Sequence, residues 1–144
     1  MSDGLLGFDA AAVYALWQKA LERRHRDPEG AIGAARTLLE AVCRHVLNER
    51  GVTSRAAMDL PALMKMAVEQ LDVAPTLHVQ AAFKRLLADT ASVIEGLGAR
   101  TKPSARHAQL AVNMAGAAAL FIVESWEVRV EEEFLEMMDD SKGG

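Results

Sequence analysis

Three residues share a register that could do chemistry together. Arg36, Glu40 and Arg44 stand at i, i+4 and i+8, so on a helix they form one charged stripe. The same spacing also describes an exposed ladder of i,i+4 ion pairs, each contributing a few tenths of a kcal/mol. A second group is the basic run Arg100-Thr101-Lys102-Pro103-Ser104-Ala105-Arg106-His107. It places Arg100 at the end of one helix and His107 in the first turn of the next. Helix starts attract phosphate through unpaired N–H groups and the helix dipole, and a His there could move a proton. The same run reads equally as a basic surface loop with a solvated His. Residue spacing alone leaves both pairs of readings open.

Other site chemistries lack their motifs. The sequence contains no phosphate-binding Gly-rich loop ending in Lys-Ser/Thr, no H-E-x-x-H, no nucleophile elbow and no Ca²⁺ loop. The four histidines at 25, 45, 78 and 107 include no pair at the three- or four-residue spacing of a helical metal site. Neither metal nor cofactor is therefore expected. Cys43 is the only cysteine, which rules out an intramolecular disulfide and multi-cysteine metal sites. Val42, Val46 and Leu47 around it point to a buried thiol.

Helices must position these groups. Hydrophobic residues make up 51% of the 144 residues, with aromatics only 5%. The apolar surface thus comes from Ala, Leu, Val and Met, which suit helix packing. No run of alternating β-branched residues reads as a strand. Asp9 can cap a helix reaching Arg26, with Val13, Leu16, Trp17, Ala20 and Leu21 on one face. Asp27-Pro28-Glu29 restarts the chain, and the second helix ends at Arg50 with Gly51 as its stop. Gly30 and Gly33 fall in its first turns, marking either a frayed start or the close approach of another backbone. Asp59 or Leu60 before Pro61 begins a helix over 60–71. Thr76 caps another from Leu77 to Leu97, ended by Gly96 and Gly98. Ser104 caps a last long helix that passes Trp126 into the acidic tail. Its Asn113–Ala119 stretch is rich in small residues, which let helices approach closely. Trp17, Trp126, Met64 and Met66 are assigned to core packing, His25 and His78 to the surface, and Glu131–Glu133 to a solvated helix end.

The fold expected is all-α: an antiparallel bundle of about five helices in a single domain over residues 1–144, with 1–8 and 139–144 disordered. The N-terminus lacks a secretory pattern. The most apolar run, Ala115–Val123, is far shorter than the roughly 20 residues of a membrane span. A cytoplasmic location without membrane contact follows as the default. The net charge of −4 is uneven: seven acids and two bases from Glu127 onward leave the remainder at about +1. An anionic ligand thus remains compatible with the total.

Two segments carry a resemblance. Ala34–Leu47 and Arg106–Trp126 resemble the C-terminal domain of bacterial abortive-infection proteins, as do Asp59-Leu60-Pro61-Ala62-Leu63 and the helix ending Val93-Ile94-Glu95-Gly96-Leu97-Gly98. The likeness covers about residues 27–127 and implies a relation to the HEPN superfamily of helical bundles. Many HEPN members are metal-independent RNA endonucleases of phage defence and toxin–antitoxin systems. Their pattern is an Arg followed, after about four to six residues, by a His. A Glu with a basic residue four positions later often lies on an earlier helix.

By that resemblance Arg100 and His107 would be catalytic, with Arg36, Glu40 and Arg44 supporting and Lys102 and Arg106 binding RNA. Two protomers would pair through their long helices, His107 acting as general base or acid and Arg stabilising the phosphoryl charge. One departure stands out. The family's longer loop, with its own Arg and His, is missing between Gly98 and Lys102, and Arg106-His107 aligns with a downstream family position. The alternative implied is a catalytically impaired form, or a non-catalytic dimerisation module binding a toxin, an antitoxin or an effector protein.

Overall fold

The computed structural model describes residues 8–71, 77–99 and 102–143. Five helices follow in order: α1 (Ala10–Arg23), α2 (Pro28–Glu49), α3 (Leu60–Val68), α4 (Leu77–Ala99) and α5 (Ala105–Gly143). No strand occurs among the described residues.

The caps follow the residue chemistry. Asp9 accepts the Ala12 N–H at 2.9 Å, and Asp59 accepts the Ala62 N–H at 2.8 Å ahead of Pro61. Asp27 has two tasks. One carboxylate oxygen caps α2 by accepting the Gly30 N–H at 3.0 Å. The other pairs with Arg23 at the end of α1, at 2.8 Å. The α1–α2 corner is thereby locked, and the Arg23 guanidinium holds the Asp27 carboxyl below its ordinary range. A Cβ on Gly30 would collide with the Asp27 carboxylate and the Arg23 side chain. The close approach there is of side chains, not of another backbone. At Gly33 a Cβ would meet open space. Gly51 adopts φ +69°, where a residue without Cβ is unstrained, and α2 stops as the Val52 N–H reaches back to the Leu47 carbonyl at 2.9 Å.

Several boundaries differ from the sequence expectation. α1 and α3 end a few residues early, and α4 runs through Gly96 and Gly98 to Ala99. Glycine weakens a helix but does not end one when tertiary packing holds it; Leu97 beside them packs on the core. Thr76 lies outside the described residues, as do residues 1–7 and Gly144. Phe8 is not loose: its ring stacks on His45 at 6.0 Å between centroids. Residues 139–143 continue α5 as helix rather than a disordered tail, because nothing in the sequence caps α5 earlier.

α2 is the central element, touching all four others and packing most extensively on α5. Its buried face holds Ile32, Ala35, Leu38, Leu39, Val42, Cys43, Val46 and Leu47, a helical period now seen as core. Asp9 at the start of α1 lines a groove with Glu49 at the end of α2, and Arg23 meets the α2 cap, so these helices are antiparallel. Phe83 stacks on Phe121 at 5.7 Å while Gly96 and Leu97 lie by His107, so α4 and α5 are antiparallel too. α2 and α5 run parallel, since α1 is antiparallel to both: its Trp17 bonds Asn113 early in α5, while Asp9 lines a groove with Trp126 further along it.

The small-residue stretch of α5 is consumed within the chain. Ala115, Ala118 and Ala119 are buried, and the Trp17 indole lies directly over Gly116, where any Cβ would strike the ring. Its Nε1 donates to the Asn113 side chain at 3.2 Å. That face serves α1 and is not free for a partner helix. α5 also contains an 18-residue window apolar enough to cross a membrane, with mean hydropathy 1.4, but half of that window is buried in the bundle, as befits a core helix.

Candidate functional site

The Arg36–Glu40–Arg44 stripe forms, but its ladder is stretched. Arg36 stands 3.9 Å from Glu40 and Arg44 stands 3.8 Å from it. Each Arg has a better partner elsewhere. Arg36 donates from Nε and one terminal nitrogen to Glu95 of α4, at 3.2 and 3.1 Å. Glu95 is held below the ordinary carboxyl range, first by Arg36 and then by the Leu60 N–H. Arg44 donates to the Ser54 hydroxyl at 2.9 Å and to the carbonyls of Arg55 and Ala56 at 3.1 and 3.2 Å. These bonds fasten the α2–α3 connection. Among the described residues, none of the three is bonded or ion-paired to His107.

The basic junction is organised separately. Ser104 precedes α5, and His107 is half-buried in its first turn. His107 Nδ1 accepts the Ser104 backbone N–H at 3.2 Å and lies 2.8 Å from the Ser104 hydroxyl. A side chain three residues into a helix thus reaches back to the capping residue's N–H, as Glu or Gln does in a capping box. With Nδ1 accepting, the hydrogen of the neutral ring belongs on Nε2. His107, Lys102 and Pro103 then face Ser92, Val93, Gly96 and Leu97 of α4 across an open depression of about 410 Å³. Lys102 and Arg106 are exposed. Arg100, the expected catalytic partner, lies outside the described residues.

Chemically the junction can offer cations and an N–H donor to an anion. It offers no ready general base, because Nε2 carries the hydrogen unless Ser104 gives up its bond. No group of three His, Cys, Asp or Glu side chains able to hold a metal gathers among the described residues. Cys43 is fully buried beside Met64, its sulfur 4.0 Å away; burial pushes the thiol up to about 12, so it is no nucleophile.

Residue spacing did not reveal Glu95 or Glu133. Glu95 joins α2, α3 and α4 through bonds spanning 35 and 59 residues. Glu133, expected on a solvated end, accepts from the two terminal guanidinium nitrogens of Arg50 at 2.8 and 2.5 Å and also pairs with Arg129 at 2.9 Å. Only the unpaired look of an acid facing another helix could have hinted at either.

The described residues form an all-α bundle with an open depression between α4 and α5, edged by Lys102 and His107. The sequence matches the family model Abi_C, described as a HEPN-like domain, over residues 11–126, and the chain belongs to that family. No match is found among curated proteins, and none among solved structures.

Proposed function

We propose that this domain acts in phage defence by engaging RNA at the α4–α5 junction. The observation that carries this reading is the depression lined by Lys102 and His107, with Arg106 exposed beside it. Lys and Arg would neutralise backbone phosphates, and His107 Nε2–H would donate to a phosphate oxygen. Arg100, one residue beyond the described end of α4, would add a bidentate phosphate donor. Cleavage needs no metal in this reading. An attacking 2′-hydroxyl would lose its proton to His107 only after Ser104 releases Nδ1; to act as the acid to the leaving 5′-oxygen the ring would first have to take a proton on Nδ1, which breaks the same Ser104 bond, and would then pass one proton on and return to the neutral form. The protein would work in the cytoplasm as a homodimer that brings two junctions to one cleft.

The test is cleavage of RNA in EDTA by the intact protein, set beside His107→Ala. The expected result is cleavage that survives EDTA and is lost in the variant, with helical content by circular dichroism unchanged. Equal cleavage by both proteins removes His107 from the mechanism.

A second reading is favoured by a specific observation: Arg36, Glu40 and Arg44 spend their bonds inside the fold, and His107 spends Nδ1 on the cap. The domain would then bind RNA, an antitoxin or an effector protein without cutting. RNA binding with no cleavage by the wild-type protein selects this reading.

A further inference from the structure

The start of α1, the end of α2 and the far stretch of α5 enclose an open groove of about 460 Å³. Its floor is apolar and largely aromatic, built from Phe8, Val123, Trp126, Val130 and Phe134. Phe134 is 54% exposed and Val130 44%, so the described residues leave much of both uncovered. Every Asp, Glu, Lys or Arg that lines the groove is an acid: Asp9, Glu49, Glu127 and Glu131. The remaining polar side chain is His45, its ring stacked on Phe8.

The acids are poorly placed for the chain's own stability. Glu49 ends α2, where the helix dipole is negative, and no base stands in that last turn. Glu127 and Glu131 are like charges at i,i+4 on α5. Asp9 spends one oxygen on the Ala12 N–H, while Glu49, Glu127 and Glu131 make no hydrogen bond or ion pair among the described residues. Acids alone describe a solvated face. Here they ring a concave aromatic floor of the size and lining typical of small-molecule sites.

We propose that this groove binds a linear aliphatic polyamine, an alkyl chain that carries ammonium groups. Its hydrocarbon lies on Val130 and Phe134, and its ammonium groups meet carboxylates contributed by three elements. Glu127 and Glu131 are about 6 Å apart along the helix axis, and an extended four-carbon diamine sets its nitrogens about 6 Å apart. An ammonium group over the Phe134 face adds a cation–π contact. The Trp126 ring already takes a cation this way, from Arg50 at 4.8 Å, whose charge is matched by Glu133. A bare metal ion would leave the apolar floor unused, and a nucleic acid would be repelled. The family match ends at Trp126, so Glu127, Val130, Glu131 and Phe134 build this site outside the matched domain. The site goes beyond the RNA reading and holds whether or not the α4–α5 junction engages RNA.

The test is calorimetric titration of the full chain with spermidine and with 1,4-diaminobutane at fixed ionic strength. Spermidine is expected to bind saturably, one per chain, and more tightly than the diamine. Glu127→Gln combined with Glu131→Gln is expected to weaken it tenfold or more, and Phe134→Ala severalfold. Glu132→Gln combined with Glu136→Gln removes the same charge from exposed residues that do not line the groove, and is expected to leave binding unchanged. Circular dichroism checks that each variant keeps its helicity. The proposal is overturned by an absence of saturable binding, by Mg²⁺ displacing spermidine at equal charge, or by equal weakening in the two double variants. Unchanged binding in Phe134→Ala overturns it too. A lysine-rich peptide that binds where spermidine does not would overturn it as well, and would assign the groove to a basic protein segment.

Discussion

Arg36 on α2 and Glu95 on α4 form a two-point ion pair, Nε to one carboxylate oxygen at 3.2 Å and a terminal nitrogen to the other at 3.1 Å. The same carboxylate accepts the Leu60 N–H at 2.8 Å. That N–H is one of the donors a helix start leaves without an intrahelical partner. A single side chain therefore ties three helices together, and Arg36, expected as a supporting residue of the site, gives two of its bonds to that tie.

Glu95→Ala is expected to lower stability near neutral pH by about 1–2 kcal/mol. Hydrogen bonds to charged groups set the upper end of that range, and side chains 32% exposed temper it. The folded-state carboxyl is depressed below its ordinary value of 4.5, so the unfolded chain binds the proton more readily. Stability from this pair is full above about 4.5 and is lost as pH falls through the lower folded-state value. Urea melts across the acid range should show a shallower loss in Glu95→Gln than in wild type.

Two glycines should respond in opposite directions. Gly116→Ala places a methyl group against the Trp17 ring, with an expected loss of about 1–3 kcal/mol and a changed tryptophan emission. Gly33→Ala meets open space in a helix interior and is expected to gain roughly 0.5–1 kcal/mol. Urea denaturation of the two variants measures both signs.

Cys43 is fully buried and its thiol is pushed up to about 12. A thiol reagent at mildly alkaline pH should leave the native protein unlabelled and label it at once in denaturant. Rapid native labelling would mean that the α2–α3 contact opens readily.

At the α4–α5 junction, Lys102→Ala and Arg106→Ala are each expected to weaken RNA binding across sequences and to reduce the salt dependence by about one ion per contact. Binding measured over a salt series separates this from general loss of fold. An unchanged slope in both variants would place RNA elsewhere on the molecule.

Local chemistry settled much of the fold. Asp9, Asp27-Pro28 and Asp59-Pro61 mark helix starts through side-chain caps and a fixed proline φ, and Gly51 marks a stop through its positive φ. The three- and four-residue spacing from Ile32 to Leu47 named the buried face of α2. All of these depend on residues within a turn or two of each other. The small-residue stretch at Asn113–Ala119 was recognised as a close-approach surface, but its occupant, Trp17, lies about a hundred positions earlier and could not be read from spacing.

The candidate site was legible only in part. The sequence alone established the five-helix all-α class, the family likeness and the basic run around His107, because caps, periodicity and motif residues are local. Tertiary structure decided what the charged side chains do. Arg36 turned to Glu95, Arg44 to the α2–α3 connection and Glu133 to Arg50, since a long flexible side chain pairs with whichever partner the packed helices bring within about 3 Å. That choice depends on which faces meet, and no single helix carries that information.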